Sequence, residues 1–177
     1  MRLSDLLQRD NNNLDIFRLI AAALVIYGHA YAIAPQEGHS DVLVHLLGYD
    51  YSGSLAVKLF FFLSGLVVTN SLLHKRDVAQ FVMARFFRIW PALLVVTALC
   101  ALVLGPLVTA LPLADYWSDP QTWRYVTGNL RLSPQYALPG VFADNPHAHA
   151  VNGSLWTIVL EVGAYLALLA LFMVGAL

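Results

Sequence analysis

Asp15, Arg18 and His29 interrupt a run of residues, Leu14 to Ala34, that is otherwise apolar enough to cross a membrane. An ionisable side chain at membrane depth costs several kcal/mol, so such residues usually face a cavity, a partner or a substrate path. Eleven residues separate Arg18 from His29, which is about three helical turns or roughly 16 Å along one face. Asp15 lies close to the same stripe, so the three together read as the wall of a reaction or transport site. A second intramembrane carboxylate, Glu161, falls in the last apolar run, with Ser154 seven residues before it and Tyr165 one turn after it. Histidine is the side chain best poised to take a proton near neutral pH. A carboxylate such as Glu161 could fix its tautomer and stabilise the imidazolium while His29 deprotonates an attacking hydroxyl.

Arg85 and Arg88 are three apart and share a helix face. Two guanidiniums so placed suit bidentate contact with phosphate groups, and they equally suit anchoring at the cytoplasmic face. Ser64 and Gly65 follow the aromatic run Phe60–Phe62. Glycine in a membrane helix permits close approach of a neighbour and serine can bond across it, which is a packing role. Direct transfer needs no covalent protein intermediate, only an activated donor and a deprotonated acceptor held close. No nucleophile elbow and no phosphate-binding glycine loop is present. Cys100 is the sole cysteine, so the chain offers no disulfide framework and no metal is expected. His39, His45, His147 and His149 fall in loops, where the bland reading is a solvated side chain.

These residues need a scaffold, and composition names it. Of 177 residues, 59% are hydrophobic and only 12% charged. The mean hydropathy of +0.65 is high for a soluble domain. A net charge of −1 without basic runs argues against nucleic-acid binding. The apolar residues fall in four blocks long enough for a bilayer of about 30 Å: Leu14 to Ala34, Leu55 to Leu73, Phe87 to about Leu111, and Leu155 to Leu177. The expected fold is therefore all-α, a polytopic transmembrane bundle of about four spans forming a single integral-membrane domain over 1–177. The N-terminal stretch, with Asp5, Asp10 and Asn11–Asn13, does not resemble a cleavable signal.

Lys75, Arg76, Arg85 and Arg88 between the second and third spans oppose one acid, Asp77. The segment Pro35–Ser54 carries Glu37, Asp41 and Asp50 with no Lys or Arg. The basic bias places the N-terminus in the cytoplasm and the two longer loops outside; Lys58 would snorkel outward. The second outer loop is rich in proline (Pro112, Pro120, Pro134, Pro139, Pro146) and in aromatic residues. Long regular structure is not expected there, although Trp123–Leu132 suits a short interfacial or re-entrant helix. Leu166–Leu177 is still apolar where it stops, with no basic flank and no polar cap. That reads as a chain cut short, or as a helix whose end reaches the inner headgroups.

Several segments in order resemble a known family. Leu14-Asp15-Ile16-Phe17-Arg18 through Gly28-His29 resembles the opening helix of the acyltransferase 3 family, membrane O-acyltransferases that decorate bacterial surface polysaccharides. Ala56-Val57-Lys58-Leu59-Phe60-Phe61-Phe62-Leu63-Ser64-Gly65 resembles its second-helix motif, and Arg85-Phe86-Phe87-Arg88-Ile89-Trp90-Pro91 its Arg-x-x-Arg motif. Leu138–Phe142, then Val151-Asn152-Gly153-Ser154-Leu155-Trp156-Thr157 and Glu161, resemble its outer loop and following helix.

The resemblance implies transfer of an acyl group, acetyl above all, from acyl-CoA as co-substrate to a hydroxyl of a saccharide or lipid-linked glycan. No tightly bound cofactor is implied. His29 would be the general base, supported by Glu161. Asp15, Arg18, Ser64, Arg85, Arg88, Asn152, Ser154 and Trp156 would contact substrate or donor, Arg85 and Arg88 through the donor's phosphates. The implied location is the bacterial inner membrane. Family members carry more membrane helices than this chain has room for, so it matches their amino-terminal half, and the remaining helices would be a partner. Two other readings fit the same polar residues: a transporter or proton-relay bundle, and an inactive truncated copy.

Overall fold

A computed structural model describes residues 14–35, 38–48, 50–145 and 150–176. Asp5, Asp10, Asn11–Asn13, Glu37, Pro146, His147, His149 and Leu177, which figured in the sequence reading, lie outside the described residues. Among the described residues the fold is all-helical, with an isolated antiparallel bridge between Thr109 and Val141 in place of any strand. Four helical segments are long and apolar enough to cross a membrane: Leu14–Tyr31, Ser52–Lys75, Val78–Val108 and Gly153–Met173. Between 11% and 22% of each is buried against protein, so most of their apolar side chains face outward. In water such a surface would be an aggregation hazard; against lipid it is the expected one. The chain divides into two compact units, Met1–Arg76 and Asp77–Leu177.

The first unit contains α1 (Leu14–Ile33), α2 (Val42–Leu47) and α3 (Ser52–Lys75). Small residues bring α1 and α3 together. Gly28 is so close to α3 that an added Cβ would lie 2.4 Å from the Gly53 backbone nitrogen. Ala21 and Ala56 are fully or almost fully buried. Van der Waals packing of this kind is what holds membrane helices together, since lipid removes the hydrophobic drive between them. The sequence reading assigned close approach to Gly65. That glycine faces open space, with nothing within 4 Å of an added Cβ, and the role belongs to Gly28 and Gly53.

Asp41 ties the outer segment to α3. Its carboxylate caps α2 by accepting from the Leu43 N–H (2.8 Å), and it also accepts from the Ser52 N–H (2.7 Å) and the Ser52 hydroxyl (2.7 Å). One side chain thus satisfies orphan donors at the start of two helices. Burial alone would raise the Asp41 carboxyl, but the bonds from Ser52 and Leu43 outweigh it and hold it below the ordinary aspartate range. Lys58 forms an ion pair with Asp50, just before α3.

The second unit opens with α4 (Val78–Leu99), which runs without a break through a π-helical turn (Cys100–Leu104) into α5 (Gly105–Val108). The helix therefore begins well before Phe87, and only Arg76 and Asp77 separate it from α3. Asp77 caps it by accepting from the Gln80 N–H at 2.9 Å, half of the Asp-x-x-Gln capping pattern. Pro91 sits inside α4; its missing N–H costs one helical bond, which membrane helices tolerate. The π turn leaves the Ala101 carbonyl for the Tyr116 hydroxyl, which donates to it at 2.7 Å, and Gly105 makes room for that phenol.

Two short helices follow, α6 (Leu113–Ser118) and α7 (Pro120–Leu130). The second starts and ends slightly earlier than the expected Trp123–Leu132, because Asp119 caps it at Gln121 N–H (2.7 Å) with Pro120 in its first turn. Trp90 Nε1 donates to the Leu130 carbonyl at 3.2 Å. Trp90 is twelve residues beyond the start of α4, roughly 18 Å along it. The α7 helix thus runs beside the long helix as a re-entrant segment does.

Asn129 then fastens the return, exchanging hydrogen bonds with the Gln135 backbone (2.9 and 3.0 Å). The Leu138–Phe142 segment docks on the end of α5. Ala110 N–H donates to Gly140 O and Thr109 Oγ1 donates to Pro139 O. Gly140 has φ +67°, and a Cβ there would meet Thr109 Oγ1 at 2.6 Å, so only glycine fits. After a single 3₁₀ turn (Gly153–Leu155), α8 covers Trp156–Met173. It stops short of Leu177 because Gly175, at φ +71°, closes it: its own N–H bonds to Phe172 O and the Ala176 N–H to Leu171 O. The cap that sequence reading found wanting is made by backbone.

Gly28→Ala should overpack the α1–α3 contact and lower stability by about 1–3 kcal/mol, read as a fall in the thermal midpoint of detergent-solubilised protein; an unchanged midpoint would refute the contact. Because the native Asp41 carboxyl is lowered, its contribution is present above the ordinary aspartate pKa and is lost as pH falls through its lowered value. Asp41→Asn should therefore flatten the acid limb of the stability–pH profile while leaving its alkaline limb in place.

Candidate functional site

Each unit carries its own polar constellation. In the first, His29 lies near the end of α1, half-buried, with its ring over Gly53 of α3. An added Cβ at Gly53 would lie 3.0 Å from His29 Nδ1. His29 Nδ1 is 2.8 Å from the Val25 carbonyl oxygen. A carbonyl can only accept, so Nδ1 carries a proton, and in the neutral ring the lone pair is on Nε2. The Tyr51 ring packs edge-on to the imidazole with centroids 6.1 Å apart, and Tyr51 immediately precedes the Ser52 anchored by Asp41. The tautomer-fixing role that sequence reading gave to Glu161 is thus filled within α1 itself, by backbone one turn earlier.

Asp15 and Arg18 form an ion pair at 3.0 Å, one turn apart, with 91% and 41% of their side chains exposed. An exposed pair of this kind contributes little to stability. Ser64 is half-buried on α3, next to buried Leu63.

The second unit brings Arg85 and Glu161 to the two sides of one tyrosine. The Arg85 guanidinium lies over the Tyr165 ring, 5.5 Å from its centroid, and 6.0 Å from the centroid of Phe81. Those two rings pack edge to face at 6.3 Å. The Tyr165 hydroxyl donates to Glu161 Oε1. Arg85 Nε is buried and has no hydrogen-bond partner among the described residues. Arg88 is exposed instead, so the two arginines that share a helix occupy different surroundings, and the expected matched pair is an embedded arginine and a solvent-facing one.

At the start of the last span, Asn152 Oδ1 accepts from the Ser154 N–H (3.2 Å) and hydroxyl (2.6 Å). Both residues are here a helix cap. Trp156 is exposed. The participants that sequence reading did not single out are Val25, Tyr51 and Phe81; Tyr165 was noted one turn after Glu161 but given no role. Val25 and His29, and Phe81 and Arg85, are four apart and so one helical turn from each other, a signal in spacing. Tyr51 had none.

Comparison with known proteins puts these features in a family. The chain matches the model of the acyltransferase 3 family, described as an acyltransferase domain, over residues 11–175. It is similar to an O-acetyl transferase of Shigella phage Sf6, with 30% identity over 157 residues, 88% of this chain and 44% of that protein. It is also similar to Nodulation protein 10 of Rhizobium leguminosarum bv. viciae, with 30% identity over 175 residues, 89% of this chain and 43% of that protein. The chain spans less than half the length of these two relatives. No solved structure matches it. The chain, with its apolar helices and the polar residues set within them, thus belongs to the acyltransferase 3 family.

Proposed function

We propose that this protein is a membrane-bound O-acyltransferase that moves an acyl group, acetyl in the first instance, from acyl-CoA to a hydroxyl of a cell-surface saccharide or glycolipid. The observation that carries the reading is the His29 imidazole, held with Nδ1–H on the Val25 carbonyl and Nε2 left basic. His29 Nε2 takes the proton of the acceptor hydroxyl as its oxygen attacks the thioester carbonyl. The carbon–sulfur bond then breaks, and the departing CoA thiolate recovers the proton from the imidazolium. No covalent enzyme intermediate is needed, only proximity of donor and acceptor.

Arg85 and Arg88 serve the donor, whose phosphates suit guanidiniums. Glu161 positions the groups around them. Asp15 and Arg18 lie on the helix that carries the base, and with Ser64, Asn152, Ser154 and Trp156 they would contact substrate or donor. The basic bias of Lys75, Arg76, Arg85 and Arg88 supports an N-terminus in the cytoplasm of a bacterial inner membrane, which is the side where acyl-CoA is found. The name of the phage relative, an O-acetyl transferase, supports acetyl as the group and oxygen as the acceptor atom.

Transfer of radiolabelled acetyl from acetyl-CoA to the glycan and lipid fraction of the host membrane tests the reading. His29→Ala should lower the rate roughly 100-fold or more, the usual value of a general base; transfer undiminished in that variant would overturn the mechanism. Arg85→Ala and Arg88→Ala should each weaken acetyl-CoA binding by about tenfold or more, the worth of a charge-assisted hydrogen bond. Calorimetric titration of the purified protein measures this, and affinity indifferent to both changes would exclude the donor role.

A further inference from the structure

Arg85 is half-buried with its Nε fully buried, and an arginine so placed normally finds a carboxylate, because an unpaired charge away from water is costly. Arg85 does not take that solution. Among the described residues it makes no ion pair, although Glu161 is connected to the same tyrosine. Its charge instead rests on the faces of two rings, Tyr165 and Phe81, which pack against each other. A ring face attracts a guanidinium without using any of its N–H donors. Arg85 Nε accordingly remains buried and without a partner. Glu161 is kept occupied by the Tyr165 hydroxyl. One side chain thus performs two tasks: its ring seats the cation, and its hydroxyl engages the carboxylate that would otherwise compete for that cation.

We infer that Tyr165 is a positioning residue of the donor site, holding the Arg85 guanidinium on its ring face while its hydroxyl engages Glu161, so that the arginine's N–H groups stay available to an anionic acyl donor. The inference rests on the reading of Arg85 as a donor contact and goes beyond it by naming what holds that residue ready. Its two halves separate by substitution. Tyr165→Phe keeps the ring and removes the hydroxyl; Tyr165→Leu removes both.

The test follows release of the CoA thiol from acetyl-CoA by the membrane-embedded protein, giving KM and kcat separately, with acetyl-CoA affinity measured alongside. Tyr165→Leu should raise KM for acetyl-CoA about fivefold or more, the scale of a cation–π contact removed from a desolvated site. Tyr165→Phe keeps the ring but frees Glu161 to compete for Arg85, so it should raise KM for acetyl-CoA by a smaller factor than Tyr165→Leu does; it also controls for folding, since it preserves the packed ring. A KM unmoved by Tyr165→Leu but raised by Arg85→Ala would overturn the positioning role and leave the donor reading standing. A KM unmoved by Arg85→Ala as well would overturn both. If Tyr165→Phe raises KM as much as Tyr165→Leu does, the ring is not the seat and the inference fails.

Discussion

A polar group inside an apolar helix has no water to turn to, so each one must find its partner in the protein. That constraint organises most of what is specific about this molecule. The Val25 carbonyl receives His29 Nδ1–H, the Ala101 carbonyl receives the Tyr116 hydroxyl, and the Leu93 carbonyl receives the hydroxyl of buried Thr97 at 2.7 Å. In each case a helix backbone supplies the acceptor. In the second case the helix must loosen by a π turn to free it. Arg85 is the exception, since its charge is met by ring faces and its Nε has no hydrogen-bond partner among the described residues. An unsatisfied buried donor is costly to keep.

Around these groups the two units use different means of assembly. The first relies on absence of side chains: Gly28, Gly53, Ala21 and Ala56 let α1 and α3 approach until backbone meets backbone. The His29 ring occupies space that any larger residue at Gly53 would fill, so close packing and the histidine's placement are one arrangement. The second unit relies on hydrogen bonds from a folded loop. Trp90, Asn129 and Thr109 each reach a backbone group of the segment between α5 and α8, and Leu138 and Val141 are buried beneath it. The Leu138–Phe142 motif, which draws the eye as a family signature, is in this structure a clasp. Its glycine is required by backbone geometry, with no chemistry asked of it.

Membership in the acyltransferase 3 family agrees with this division between scaffold and site. Segments that resemble the family fall on α1, α3, α4, the docked loop and α8, and within them the polar residues fall into two kinds. Asn152 and Ser154 complete a helix start, and Lys58 pairs with Asp50 near the start of α3. His29, Arg85 and Glu161 are instead engaged by a backbone carbonyl, by two ring faces and by a tyrosine hydroxyl.

Much of the scaffold was legible in the chain itself. Hydropathy over windows of about twenty residues is set by bilayer thickness, so the helices and their order follow from composition alone, as does the choice of Asp15, Arg18, His29 and Glu161 as residues out of place in lipid. Boundaries were read less well where caps outweigh hydropathy: Asp77 starts α4 before the apolar run does, and Gly175 ends α8 while the run continues. What only the folded molecule decided was partnership. Neither the choice of Gly53 over Gly65 as the close contact nor the seating of Arg85 on the Tyr165 ring has a fixed spacing in sequence across helices. Each depends on the rotation of one helix against another, which a one-dimensional pattern does not contain, because periodicity gives the face of a helix and packing alone gives what that face meets.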